Sequence, residues 1–296
     1  MRHRPLIAVD WGTTNRRAFR LGPGGGIEAR FQDECGTLAV GRGGFPAAVA
    51  EVRARLGDHP MLLAGMIGSD RGWQEVPYVD APAGIEAIAA GARTLEEGRA
   101  HIVPGVALRS DARPDVMRGE EVQLLGAVAG GLIAADARAC HPGTHAKWAL
   151  LQGGRIASFR TIMTGELFAL LRQHGILAAQ LQAKVADGAA FREGACHGLS
   201  ANDLPAELFT VRARLLTGRL AEADAAAYVS GLLIGSDVRI GLASIGGGGG
   251  HLPLIGDPSL TALYAAALAE AGVATRCIDG EEAFVAGARA LAELLS

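Results

Sequence analysis

Aromatic residues are scarce in this chain, at 5% of 296 positions, so a stacking platform for single-stranded nucleic acid is not expected. A basic excess is also missing. Lys and Arg number 28 against 31 Asp and Glu, a net charge of −3, which excludes a general polyanion binder. The four cysteines, Cys35, Cys140, Cys196 and Cys277, form no CxxC pair, and their spacing fits neither a zinc site nor a disulfide framework. Free thiols in a reducing cytosol are expected. Only Leu6 to Val9 follow the N-terminal Met-Arg-His-Arg-Pro as an apolar run, too short for a signal-peptide core. The longest apolar stretch, near Leu124–Ala135, is too short to span a bilayer. No GxGxxG follows a strand, no P-loop Lys-Ser/Thr is present, and no GxSxG elbow occurs. The run Gly246–Gly250 therefore reads as a flexible connection. What remains is 49% apolar residues, enough for a packed core and too many for disorder.

The order of elements repeats. Leu6–Val9, Arg17–Leu21 and Ile27–Phe31 read as three antiparallel strands joined by the turns at 10–15 and 22–26. Spacing predicts a helix over Ala47–Leu56, a buried strand at Met61–Ala64, a loop over 65–83 and an apolar helix over Val122–Ala135. Strand, turn, strand, turn, strand then recurs about 130 residues later, at Ala137–Cys140, Lys147–Leu151 and Ile156–Phe159. Helices are expected at 165–174, 178–194, 206–216 and 221–240. A strand at His251–Ile255, a helix to Gly272, a strand at Ala274–Ile278 and a helix at Glu281–Leu295 close the chain. The pattern is α/β, in two related halves of residues 1–134 and 135–296, with the last helix free to pack back on the first. The echo of Ile67-Gly68-Ser69-Asp70 in Ile234-Gly235-Ser236-Asp237 is too short to prove duplication and is treated as coincidence.

Four motifs carry candidate chemistry, each beside an ordinary alternative. Asp10-Trp11-Gly12-Thr13-Thr14-Asn15-Arg16-Arg17 ends a strand in a glycine turn. Its N–H groups and hydroxyls suit phosphate oxygens, and Asp10 suits a hydrated Mg²⁺. The alternative is a plain hairpin turn. Pro142-Gly143-Thr144-His145 occupies the matching place in the second half, and the pair suggests two loops on one phosphate chain. His141 and His145 are not a metal pair, because Pro142-Gly143 forbids the helix that would align them. Glu120 and Glu121 open a helix, either as dipole-favoured acids or as a base for a substrate hydroxyl. Gly256-Asp257-Pro258-Ser259 is a capped helix start or a seat for a nucleoside. The loop 65–82 carries Ser69, Asp70, Trp73 and Tyr78, suited to a polar sugar or to simple loop packing.

Together these strings resemble the actin, sugar kinase and Hsp70 superfamily and, within it, the 2-dehydro-3-deoxygalactonokinase family. The stretches IAVDWGTTNRRAFR (7–20), AGMIGSDRGWQEVPYVDAP (64–82), VMRGEEVQLLG (116–126), PGTHAKW (142–148), FRTIMTGE (159–166), SGLLIG (230–235) and GDPSLTALY (256–264) carry the likeness. The resemblance implies two ribonuclease H-like (actin-like ATPase) domains, each a mixed sheet with helices, around a nucleotide cleft. It implies ATP- and Mg²⁺-dependent phosphorylation of the 6-hydroxyl of 2-dehydro-3-deoxy-galactonate in the cytoplasm. By position, Asp10 would serve the metal, and Gly12, Thr13, Thr14, Asn15 and Arg17 the first phosphate loop. Gly143, Thr144 and His145 would form the second, while Gly256, Asp257 and Ser259 would meet the adenosine. Related kinases carry a catalytic Asp in a GDQ motif. Here Gly119-Glu120-Glu121 stands there, so the base is Glu120 or Glu121, with Glu120 favoured. Ser69, Asp70, Trp73, Thr164 and Glu166 would contact the sugar, and Arg118, Arg160 or Arg16 its carboxylate. The expected partners are a small sugar acid and, as an assembly to test, a second copy of the chain. Nucleic acid and membrane are not expected.

Overall fold

The computed structural model describes residues 4–246 and 250–295. The middle of the expected flexible glycine run, 247–249, lies outside the described residues. The chain divides into two compact units. The first comprises Met1–Ala137, Leu151–Ser158 and Gly280–Ser296, and the second Arg138–Leu150 and Phe159–Asp279.

The first unit opens with β1 (Leu6–Trp11), β2 (Arg16–Leu21) and β3 (Ile27–Asp33), an antiparallel meander. After the short α1 (Thr37–Val40) and α2 (Phe45–Leu56), β4 (Met61–Gly65) pairs in parallel with β1. Past α3 (Ile85–Ala90), β6 (Arg93–Leu95) and β7 (Ala100–Ile102) complete a sheet of order β3-β2-β1-β4-β7-β6. Phe45, Val49, Val52 and Leu56 recur at helical spacing on α2 and bury against Ile7, Val9, Trp11 and Leu63. A small second sheet joins β5 (Val79–Asp80), β8 (Val106–Leu108) and β9 (Asp115–Met117), and hands the chain to α4 (Glu120–Ala129). The expected loop 65–83 thus holds a 3₁₀ turn at Met66–Gly68 and a strand. α4 stops at Ala129 rather than 135, because Gly130-Gly131 ends it, with Gly131 at φ 69°. The last helix, α10 (Gly280–Leu294), packs on α4 so closely that a Cβ at Gly126 would meet the Ala283 carbonyl at 2.0 Å.

The other five strands are β10 (Ala137–His141), β11 (Ala146–Gln152), β12 (Arg155–Ile162), β13 (Leu252–Gly256) and β14 (Thr275–Asp279). Their order, β12-β11-β10-β13-β14, repeats β3-β2-β1-β4-β7, and β10, β13 and β14 run parallel. Helices α5 (Thr164–His174), α6 (Ala189–Ser200), α7 (Leu204–Leu216), α8 (Ala225–Ile245) and α9 (Pro258–Glu270) complete the second unit. The helix expected at 178–194 is instead a 3₁₀ turn at Ala178–Leu181 and the later α6, whose N-cap Gly188 is extended.

The segment Glu222–Ile245 is apolar and long enough to cross a membrane by length and composition, yet most of it is buried inside the molecule. It is the central core helix of this unit. Four glycines let α6 and α8 touch: a Cβ at Gly194, Gly198, Gly231 or Gly235 would each lie within 2.0–2.2 Å of a carbonyl of the facing helix. The SGLLIG string is therefore a helix-crossing device. None of the four cysteines is paired.

Candidate active site

In the first unit, Asp10 is the penultimate residue of β1 and faces Arg17 across the β1–β2 register, with Arg17 Nη2 donating to Asp10 Oδ2 at 2.9 Å. The turn between them is closed by the Gly12 N–H on the Asn15 carbonyl, 2.9 Å, and leaves Thr13, Thr14 and Asn15 exposed. Its own carbonyls are spent backward. Thr14 accepts from Gly36 N–H at 3.0 Å, Gly12 from Thr37 N–H at 3.0 Å and Thr13 from Leu38 N–H at 3.2 Å. Any side chain at Gly36 would collide with the turn, its Cβ falling 2.3 Å from the Thr13 carbonyl oxygen. Gly36–Leu38 is a bracing segment of this turn that sequence reasoning missed. Its only local signal is a glycine and a threonine before a short helix.

Gly119, at φ 114°, turns the chain from β9 into α4. The two glutamates that follow have different environments. Glu121 is fully buried. Its Oε2 accepts from Gly119 N–H at 2.6 Å, and its Oε1 has no hydrogen-bond partner among the described residues. Burial first, and then the charge of Glu120, pushes its pKa up to about 8, so it is mostly protonated at neutral pH. Glu120 is only partly buried and accepts from Arg118 N–H at 3.1 Å. It lies near Asp10: burial raises the Asp10 pKa, Arg17 opposes that shift, and the charge of Glu120 adds to it.

The three candidate arginines also separate. Arg16 is sealed in the core: Nη2 meets Asp33 at 2.6 Å and Glu51 at 3.1 Å, Nη1 donates to the Ala48 carbonyl, and Trp11 lies under the guanidinium. It is a structural ion-pair partner, which corrects its candidacy for a ligand. Arg118 stacks over Tyr78 at 4.2 Å and donates from Nη2 to the Val76 carbonyl, while its buried Nε and Nη1 have no partner among the described residues. Arg160, on β12, is partly exposed. Of the loop residues, Ser69 turns its hydroxyl inward onto the Met66 carbonyl at 2.7 Å, Asp70 is exposed, and Trp73 half-buries against the core.

In the second unit, the 142–145 loop joins β10 to β11. Thr144 and His145 are exposed, and the loop rests on the start of α5. Glu166 N–H donates to the Thr144 carbonyl at 3.0 Å, and a Cβ at Gly165 would fall 2.7 Å from the Gly143 carbonyl oxygen. His145 Nε2 pairs with Glu166 Oε2 at 2.5 Å, so Glu166 braces this loop. Gly256, at φ 150°, adjoins the same loop, since its Cβ would sit 3.4 Å from the Pro142 carbonyl oxygen. Asp257 caps α9, accepting from Ser259 N–H at 2.9 Å, from Leu260 N–H at 3.2 Å and from the Ser259 hydroxyl. Thr164 does not present its hydroxyl to a ligand. It is buried and donates to Asp237, a correction to its expected sugar contact. Asp237 also went unmarked in the sequence, although it closes the IGSD echo dismissed as coincidence. Burial raises its pKa to about 6 against the pull of its hydrogen bonds, with Thr164 foremost.

The fold recurs in the (R)-2-hydroxyglutaryl-CoA dehydratase component A of Acidaminococcus fermentans, at TM-score 0.56 and 16% identity over 99% of this chain and 100% of that one. This repeated-sheet architecture, with a glycine-threonine loop at the matching turn of each sheet, is that of the actin-like ATPases and carbohydrate kinases. The chain is a carbohydrate kinase of that fold. Residues 10–291 match the 2-keto-3-deoxy-galactonokinase family, and the chain belongs to it. It is 37% identical to the 2-dehydro-3-deoxygalactonokinase of Escherichia coli (strain K12) over 98% of both chains. It superposes with TM-score 0.89 on the crystal structure of a Sinorhizobium meliloti protein named for the same activity, at 35% identity over 98% of both.

Proposed function

We propose that the chain transfers the γ-phosphoryl group of ATP to the 6-hydroxyl of 2-dehydro-3-deoxy-D-galactonate, in the cytoplasm, as a step of galactonate catabolism. The family membership supports this, and so does one observation above all. Glu120, accessible and held by the Arg118 N–H, shares an electrostatic neighbourhood with Asp10 beside the first glycine-threonine turn. In the proposed step the sugar O6–phosphorus bond forms as the bond from phosphorus to the β-phosphate oxygen breaks. ADP leaves, and Glu120 takes the hydroxyl proton. Glu121, buried and protonated at neutral pH, holds the Gly119 turn that aims Glu120.

Gly12 to Asn15 and Arg17 in the first unit, and Gly143 to His145 in the second, offer N–H groups, hydroxyls and charge to phosphate oxygens. Gly256 to Ser259 supply the turn for the adenosine. Among the described residues no three His, Cys, Asp or Glu side chains gather as a metal cage. That suits Mg²⁺, which binds kinases through one or two carboxylates, phosphates and waters. Asp10, with Oδ2 on Arg17 and the charge of Glu120 nearby, is the residue to hold it. When bound, the ion neutralises phosphate charge during transfer. Arg118 is the proposed partner of the substrate carboxylate, because two of its nitrogens lack acceptors among the described residues and the Tyr78 ring backs the guanidinium. Asp70, Trp73 and Arg160 are proposed contacts to the rest of the sugar.

ADP release measured across 2-oxo-3-deoxy sugar acids, neutral hexoses and no sugar tests the reading. Turnover highest with the galacto acid supports it. A neutral hexose outperforming every acid, or ATP hydrolysis indifferent to sugar, contradicts it.

A further inference from the structure

Asp237 is an acid in the middle of α8, 1% exposed, in a mostly apolar helix whose one other charged residue is Arg239. Burying a carboxylate is costly unless donors surround it. Here three do: Trp148 Nε1 at 2.6 Å, the Tyr264 hydroxyl at 2.5 Å and the Thr164 hydroxyl. All three donors are themselves buried.

They come from three separate places in the chain, and each is tied to a segment of the candidate nucleotide site. Trp148 lies three residues past His145 on β11. Thr164 opens α5, whose Gly165 and Glu166 support Gly143 and Thr144 from below. Tyr264 lies on α9, which begins at the Gly256–Ser259 turn. An apolar residue would fill the same volume at lower desolvation cost, but it could not fix the rotation of all three elements at once.

We infer that Asp237 is a positioning residue for nucleotide binding, a single carboxylate that holds the 142–145 loop, the start of α5 and the 256–259 turn in mutual register. This rests on the reading that these segments hold ATP. Asp237 touches no substrate and acts only through its three donors.

The test uses calorimetric binding of ADP, sugar-acid KM and thermal unfolding on the full chain. Wild type is compared with Asp237→Asn and Tyr264→Phe, which keep the core volume, and with Asp237→Ala. Loss of one hydrogen bond to a charged acceptor should weaken ADP binding about tenfold in Tyr264→Phe and in Asp237→Asn, with the sugar-acid KM moving less than about twofold. Asp237→Ala should lose more. In the Asp237→Asn, Tyr264→Phe double variant the two losses should fail to add. Variants that melt earlier but bind ADP as wild type does would reduce Asp237 to a core residue and overturn the inference. Equal weakening of both substrates would overturn it too. A wild type that does not bind ADP removes the reading beneath it and the inference together.

Discussion

The two glycine-threonine loops occupy equivalent places in sheets of the same strand order, yet the second leans on side chains where the first does not. The 12–15 turn is held by main chain: three carbonyls accept from the N–H groups of Gly36, Thr37 and Leu38, and the brace fits only because residue 36 has no side chain. The 142–145 loop has one such main-chain bond, from Glu166 N–H to the Thr144 carbonyl beside the close glycine at 165, and adds side chains, through Glu166 on His145 and the Asp237 cluster behind α5. A main-chain brace is indifferent to charge and is sensitive to volume at one position. The second loop shares that sensitivity at Gly165 and depends in addition on a buried charge and its donors. One fold therefore carries two loops that share a volume limit, while only the second also depends on a buried charge.

The largest effect should come from the chemistry the first loop serves. Glu120→Gln should lower kcat by about 10²–10⁴-fold with ADP binding unchanged, read by steady-state kinetics and calorimetry. Gly36→Ala comes next. Moving the 12–15 turn by about an ångström should cost on the order of a hundredfold in kcat/KM, while the equally small change Gly24→Ala, where no atom lies within 4 Å, should cost nothing measurable. If Gly36→Ala keeps full activity, the main-chain brace is not what shapes the first loop.

A third contrast concerns pH. The raised pKa of Glu121 means the folded state favours its protonated form. Its contribution to stability is complete below its ordinary 4.5 and is lost as pH rises through about 8. Asp237 acts in the same direction at lower pH, losing its contribution as pH rises through about 6. The melting temperature of wild type should therefore fall between about pH 4.5 and 8 and level off above, and Glu121→Gln should flatten the upper part of that fall without abolishing turnover. The smallest effect is a control. Arg109→Ala removes an exposed pair with Asp80, 2.6 Å apart, and should leave melting temperature and kinetics as they are.

Much of this was legible in the chain. Alternating strands around DWGTT and PGTH defined both meanders, because short-range alternation and turn chemistry decide a hairpin. The helix expected at 165–174, observed over Thr164–His174, and the cap at Asp257 were legible from helical spacing and capping chemistry. The sheet of β5, β8 and β9 was not, since strands of two or three residues carry no periodicity. The misplaced helix at 178–194 came from apolar spacing that Gly188 interrupts. Arg16 looked like a ligand because Asp33 and Glu51, which neutralise it, lie 17 and 35 residues away. Asp237 was missed because its three donors lie 27 to 89 residues away. Long-range neutralisation leaves no local mark in a sequence.

The central claim is that Glu120 receives the proton when the sugar acid takes the phosphoryl group. The most direct measurement is a phosphorus NMR time course of ATP with 2-dehydro-3-deoxy-galactonate, run on wild type and on Glu120→Gln. The account predicts that wild type forms one sugar 6-phosphate per ADP, while the variant, still able to bind ADP, forms it at least about a hundred times more slowly. A variant that matches wild type, or a wild type that releases inorganic phosphate in place of the sugar phosphate, would contradict it.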